Sequence, residues 1–399
     1  MTAVTTEEAD HQLVLDATEK LLRDYPPATT SRRDFLNAQF DAGLAWVHFP
    51  KGKGGLGVTR ALQPEVEERL VAAGAPSGRN GNPLGFSMGA PVVLAWGTED
   101  QQQRYLRPLF VGDELWCQLF SEPGAGSDLA AAACRAVRDG DEWVVNGQKV
   151  WNSMAQISDL GMLVARTDPD VPKHAGLSYF VVDMHLPGVE VRPLRQMTGD
   201  AEFNEVYLTD VRVPDAARLG DVGAGWKVGM STLMNERVMF GGRGMSSGPV
   251  ETALELYKRN RPADPELRSR LIQLWIKAHV GSLSNARAAA NIARGVPGPE
   301  GSIGKIGFAE VNQEGYNLCL DILGDESMLY DSYEMTERTA GERRAAPVDP
   351  RRAFLRARAN SIEGGTSEIM RNILAERVLG LPPDIRVDKD KPWSQVPRS

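Results

Sequence analysis

The chain has 399 residues, 42% hydrophobic and 25% charged, with 45 basic against 53 acidic side chains and a formal charge of −8. That length suggests two or three domains, the composition is that of a soluble globular protein, and the acidic balance weighs against a protein built to grip a nucleic-acid backbone. No run approaches the roughly 18 apolar residues of a membrane helix, and the opening MTAVTTEEADHQ is acidic where a secretory leader is basic and then apolar. The expectation is a cytoplasmic protein with neither a membrane nor a nucleic acid as partner. Cys117, Cys134 and Cys319 are too widely spaced for a disulfide framework or a zinc pattern, and the five histidines show no ligand spacing, so no metal is expected.

The first third reads as helical. His11–Leu22 places Leu13, Leu15, Ala17, Leu21 and Leu22 on roughly one side. Thr98 and Gln101 have capping-box spacing ahead of Tyr105, Leu106 and Leu109. After Trp116 the pattern changes to short β-prone pieces at 134–139, 142–151, 160–167, 177–185 and 189–195, with Asn146-Gly147 and Pro187-Gly188 as turn signals. The spacing leaves no room for helices between them, which disfavours parallel Rossmann units and predicts a small antiparallel barrel or two-sheet domain. From Gly225 helices return, at 225–240, 250–260, 266–294, 303–323 and 367–378, interrupted near Pro297–Gly301 and Pro347–Pro350. The predicted domains are therefore an all-helical 1–118, a β domain 119–224, a helical bundle 225–382, and a polar, proline-rich tail 383–399 that is loosely packed.

Four segments carry candidate chemistry. In Phe120-Ser121-Glu122-Pro123-Gly124-Ala125-Gly126-Ser127-Asp128 the glycines permit tight turning and close ligand approach, with N–H groups and hydroxyls suited to phosphate oxygens or the polar edge of a flavin; a plain turn explains the same residues equally well. It has neither a Walker nor a dinucleotide-turn register. Trp151-Asn152-Ser153 offers an aromatic face and a hydroxyl to a planar ring, unless Trp151 is simply core. Glu236 lies among Met230, Leu233, Met234, Val238, Met239 and Phe240; desolvation there would raise a carboxylate pKa and make a usable base. Ser361–Ile369 contains Glu363, a Gly364-Gly365 turn, and Thr366 or Ser367 as a helix cap.

Together these segments resemble the acyl-CoA dehydrogenase family over about residues 8–382. LFSEPGAGSD (119–128), KVWNS (149–153), FNEVYLTDVRVP (203–214), GAGWKVGMSTLMNERV (223–238) and GGTSEIMRNILAERVLG (364–380) follow the family's order and spacing. The resemblance implies an α+β fold with an N-terminal helical domain, a middle β domain and a C-terminal four-helix bundle. It also implies FAD, an acyl-CoA substrate oxidised to a trans-2-enoyl-CoA, and an electron-transferring flavoprotein as acceptor. Carried over by position, Ser121 and Ser153 would bond the flavin ring, Trp151 would flank it, Ser127 would lie near bound ligand, and Thr366 near the pyrophosphate. One branch places its base immediately before the G-T-S of the closing signature, which here is Gly364; another places it immediately before an arginine in the first helix of the last domain, which here is Glu236. Glu236 is thus the expected base, with the Gly364 N–H bonding the thioester carbonyl. Glu363 stands one residue out of register, about 100° away on a helix.

Two departures bear on assembly. The family's Phe-Gly segment is replaced by Tyr257-Lys258-Arg259-Asn260-Arg261-Pro262, and its Gly-Gly by Gly324-Asp325. Both disfavour an ordinary four-flavin homotetramer. GPEGSIGKI (298–306) resembles actinobacterial relatives acting on steroid or bulky acids, some of them heterotetramers of homologous subunits. The expected assembly is a homo-oligomer or such a heterotetramer. An oxidase or monooxygenase, or a non-catalytic subunit completing a partner's site, are the alternative functions.

Overall fold

The computed structural model describes residues 6–241, 248–260, 264–293, 298–330, 332, 348–385, 388 and 390–397; the side chains of Thr6, Asn80, 236–241, 292 and 293 fall outside that description. Arg261, Pro262, Pro297 and Pro347, singled out above, also lie outside it.

The N-terminal helices form where the sequence supplies both a buried stripe and end signals. α1 (Thr6–Asp24) buries Val14 and Leu21 against Phe35 of α2 (Arg32–Asp41) and Val66 and Leu70 of α3 (Gln63–Ala72). A short α4 (Gly78–Gly81) and α5 (Ala90–Trp96) lead to α6 (Glu99–Val111). α6 opens on the predicted capping box: the Thr98 hydroxyl accepts from the Gln101 N–H at 3.2 Å, and the Gln101 side chain accepts from the Thr98 N–H at 2.8 Å. It stops at Gly112, whose φ of +84° few other residues adopt without strain.

Eight strands follow: β1 (Trp116–Leu119), β2 (Arg135–Asp139), β3 (Glu142–Lys149), β4 (Leu160–Arg166), β5 (Leu177–Asp183), β6 (Val189–Leu194), β7 (Phe203–Pro214) and β8 (Arg218–Leu219). They make one sheet in the order β6-β7-β3-β2-β4-β5-β8, with β1 beside β4. The sheet is mixed, because β1 and β2 each pair parallel with β4 while the other pairings are antiparallel. The first strand begins three residues before the boundary expected at 119. β4 is buried along its length, and its alternating side chains feed two cores. Met162 and Val164 join Trp116, Tyr179 and Phe110 under the N-terminal helices, while Leu163 and Ala165 join Val145, Phe180 and Val206 on the other face.

Asn146-Gly147 is not the turn that its sequence suggested. The β2–β3 hairpin turns at Gly140-Asp141, with Asp139 paired to Glu142 and Gly140 at φ +65°. Asn146-Gly147 instead sits at a register shift against β7. The Asn146 amide donates to the Asp210 carboxylate at 3.0 Å, and its carbonyl accepts the Asp210 N–H at 3.0 Å. Glycine is needed there because a Cβ would stand 2.7 Å from Cys134 Cα and Cβ. Close backbone approach and turn formation demand the same residue, and the sequence does not tell them apart.

The last domain is a bundle of α7 (Gly225–Gly241), α8 (Gly248–Asn260), α9 (Pro265–Ala293) and α10 (Glu300–Leu323), with α10 touching the other three. Gly315 of α10 permits close contact with α8, since a Cβ there would lie 2.6 Å from Pro249 Cβ. α11 (Pro350–Ala357) and α12 (Ser367–Ile373) pack on α10. Among the described residues no helix is long and apolar enough to cross a membrane.

Most described residues of the tail are exposed, Ile385 among them, but Trp393 docks it on the β domain. Trp393 is buried, its indole N–H donates to the Ala131 carbonyl at 3.2 Å, and the Arg166 guanidinium lies 4.6 Å over its ring. One large aromatic in a polar stretch outweighs the composition around it, because its burial alone is worth about 2–3 kcal/mol.

Candidate active site

The glycine-rich turn is anchored from below. Glu122 and Ala125 exchange backbone hydrogen bonds at 3.0 and 3.1 Å, closing a tight loop over Pro123-Gly124. Under it the Lys149 ammonium, fully buried, donates to Glu122 Oε1 at 2.8 Å and to the carbonyls of Phe120 and Val164 at 3.0 and 2.8 Å. Glu122 also accepts the N–H groups of Ala133 and Cys134 at 2.7 and 3.0 Å. Lys149 spends all three donors, so the pair is satisfied without water. Burial pushes the neighbouring Cys134 thiol up to about 11, with Lys149 opposing the rise. Neither Glu122 nor Lys149 was singled out from sequence. A signal existed: Lys149 shares the inward register of Trp143 and Val145, and a charge at an inward position needs a partner.

Gly124 and Gly126 are exposed, neither has a positive φ, and a Cβ at either would meet open space. The chain's own folding therefore requires neither glycine. Ser121 is half-buried, its carbonyl accepting the Val150 N–H at 2.9 Å, and Ser127 is exposed.

Trp151 is not core. It is 58% exposed, with a backbone φ of +62° that a bulky residue rarely adopts. The chain around it is pinned: the Asn152 N–H bonds the Asn204 carbonyl at 3.0 Å, the Asn204 N–H bonds the Asn152 carbonyl at 3.1 Å, and the Asn152 amide donates to Gln118 at 2.7 Å. The indole meets Phe203 edge-on, with ring centroids 6.0 Å apart. Ser153, half-buried, follows on the same turn. The Val150 N–H, bonded to the Ser121 carbonyl at 2.9 Å, ties this turn to the start of the glycine-rich segment.

α7 rises from the sheet here. Gly229 lies 3.8 Å by its virtual Cβ from the Phe120 ring, and Thr232 meets the buried Tyr179 hydroxyl at 3.2 Å. On the helix backbone Glu236 shares the face of Gly229 and Leu233; its side chain and those of Val238, Met239 and Phe240 lie outside the described residues, while of the other expected neighbours Leu233 packs on the core, Met230 is half-buried and Met234 is exposed.

In the closing loop Gly364 and Gly365 take φ of +62° and +88°. Thr366 caps α12, its hydroxyl accepting the Ile369 N–H at 3.1 Å. Glu363 is occupied: Oε1 accepts from Arg356 Nη1 at 3.1 Å and Asn360 Nδ2 at 2.7 Å, and Oε2 from Arg356 Nη2 at 2.8 Å.

Comparison with known proteins accounts for this layout. Residues 9–113, 117–211 and 223–379 match the N-terminal, middle and C-terminal domains of acyl-CoA dehydrogenases. The chain is 38% identical over 358 residues to acyl-CoA dehydrogenase IpdE1 of Mycobacterium tuberculosis, covering 89% of each. It is 28% identical to the human mitochondrial short-chain specific acyl-CoA dehydrogenase, covering 84% of this chain and 80% of that protein. Among solved structures, the ChsE4-ChsE5 complex of Mycobacterium tuberculosis aligns with a TM-score of 0.68 at 28% identity, over 96% of this chain and all of that one. The Tcur3481-Tcur3483 steroid ACAD shares the fold with a TM-score of 0.70 at 24% identity, over 96% of this chain and 100% of that one. With three domains in order and near-full-length relatives, the chain belongs to the acyl-CoA dehydrogenase family.

Proposed function

We propose that this member binds FAD and oxidises an acyl-CoA thioester to the trans-2-enoyl-CoA, passing electrons to an electron-transferring flavoprotein. The observation that carries the cofactor is Trp151, held out at φ +62° directly after Val150, whose N–H bonds the Ser121 carbonyl at the start of the glycine-rich turn. Trp151 would flank the ring, Ser121 and Ser153 would bond its polar edge, Ser127 would lie near bound ligand, and Thr366 near the pyrophosphate. Bound FAD supplies the acceptor for the hydride leaving Cβ.

Glu236 would remove the α-proton. Support comes from its place on the α7 face shared with Gly229 and from the state of its rival. Three hydrogen bonds from Arg356 and Asn360 fix the direction of the Glu363 carboxylate. The Gly364 N–H would bond the thioester carbonyl as enolate charge grows, and exclusion of water strengthens that bond. The deciding experiment is anaerobic single-turnover flavin bleaching by an acyl-CoA. Glu236→Gln should slow it by about 10²–10⁴-fold, the usual effect of losing a general base, with the flavin spectrum intact. Bleaching at the parent rate sinks the assignment. Peroxide formed in step with turnover would favour the oxidase alternative.

The assembly reading is a heterotetramer with a homologous subunit acting on a bulky, steroid-like acid, in the cytoplasm. It rests on the absent Phe-Gly and on Gly324-Asp325, where an aspartate replaces the residue expected near a partner's pyrophosphate. The chain purified alone should carry clearly less than one FAD per chain, measured by absorbance after denaturation. One tightly held FAD per chain in a stable homotetramer refutes it.

A further inference from the structure

The loop that carries Gly364 and the turn that carries Trp151 belong to different domains, and one side chain joins them. Arg352 and Arg356 stand one turn apart on α11 and reach Asp200 and Glu202, just ahead of β7. Arg356 Nε donates to Glu202 Oε1 at 2.9 Å, and the other two guanidinium nitrogens form the fork to Glu363. The Cζ of the same guanidinium lies over the Phe203 ring, 5.5 Å from its centroid, and that ring packs edge-on to Trp151. The backbone of 202–204 in turn holds the Trp151 turn, since the Met154 N–H bonds the Glu202 carbonyl at 3.4 Å and Asn204 pairs with Asn152.

We propose that Arg356 is a positioning residue that sets the direction of the Gly364 N–H relative to the Trp151 ring, through Glu363 on one side and Glu202 and Phe203 on the other. The proposal rests on reading Gly364 as the carbonyl donor. Its physical basis is the rigid fork: a guanidinium donates from Nε to one carboxylate and from both Nη to another while its charge sits over a ring, which a lysine ammonium cannot do. About a third of the Arg356 and Glu363 side chains is exposed, so the pair adds little to global stability. Its effect is on geometry. Gly364 has no side chain to pack, so the donor position is held through its neighbours, Glu363 on one side and Gly365, against which Met370 packs, on the other.

The test uses the flavin-loaded protein, with its partner if one co-purifies, saturated with crotonyl-CoA labelled with ¹³C at the thioester carbonyl. Isotope-edited infrared difference spectra report hydrogen bonding to that carbonyl directly. In the parent the stretch should be lowered from its value in water. Arg356→Lys should return it part of the way, slow anaerobic bleaching by about tenfold to a hundredfold, as a small misplacement does, and leave the thermal midpoint nearly unmoved. Glu363→Gln should reproduce the infrared change, and the double variant should be no worse than the worse single. A parent-like stretch in Arg356→Lys, or no lowering in the parent itself, overturns the proposal. Glu236→Gln keeps the two ideas apart: it should leave the stretch at the parent position. If Glu236→Gln bleaches at the parent rate while Arg356→Lys shifts the stretch, the base assignment falls and the clamp stands.

Discussion

The two cradles of the site are held in opposite ways. The glycine-rich turn rests on Glu122–Lys149, an ion pair inside one domain with side chains 8% and 0% exposed and every donor satisfied. The closing loop rests on Arg356–Glu363, which is one-third exposed and tied across to Glu202 of the middle domain. In the dry interior a missing partner leaves an uncompensated charge, whereas at the half-wet boundary water replaces it. The first arrangement is built into the fold. The second can be adjusted without unfolding anything, which suits a loop proposed to meet the reacting carbonyl.

The largest effect expected from this contrast is on Lys149. Lys149→Met should destabilise the protein by about 3–5 kcal/mol, because it strands a buried carboxylate. Adding Glu122→Gln should recover at least half of that, read from the midpoint of urea unfolding. If Lys149→Met is as stable as the parent, the two cradles do not differ as described. Arg356→Lys, already predicted to act on the carbonyl rather than on stability, is the matching variant at the boundary.

A smaller effect separates a ligand-binding turn from a plain one. Gly126→Ala meets open space and no positive φ, so the fold should tolerate it or gain about 0.4–1 kcal/mol from a stiffer unfolded chain. Flavin retention should nevertheless fall, measured as FAD remaining after extended dialysis. If stability and retention are both unchanged, the turn is only a turn.

Several element ends around the site were legible because their signals are local. The capping box at Thr98, the helix beginning at Gly225 and the cap at Thr366 need only a few neighbouring residues, and each formed as read. Trp151 was ambiguous for a physical reason: a tryptophan after a β-strand is equally suited to core or to a ring, and only its exposure decides. Asn146-Gly147 misled because a residue without a Cβ serves a tight turn and a close strand crossing alike. The tail misled because composition averages over Trp393.

By itself the sequence determined the order of helical, strand and helical regions and several helix ends, since periodicity and capping act within a few residues. The tertiary structure alone decided which charges meet. Lys149 finds Glu122 across 27 positions, Arg356 finds Glu202 across 154, and Trp393 finds Ala131 across 262. Such pairings depend on which surfaces the folded domains bring together. No local propensity encodes them, and here they decide that Arg356 is tied to the middle domain through Glu202 while the glycine turn is locked from beneath.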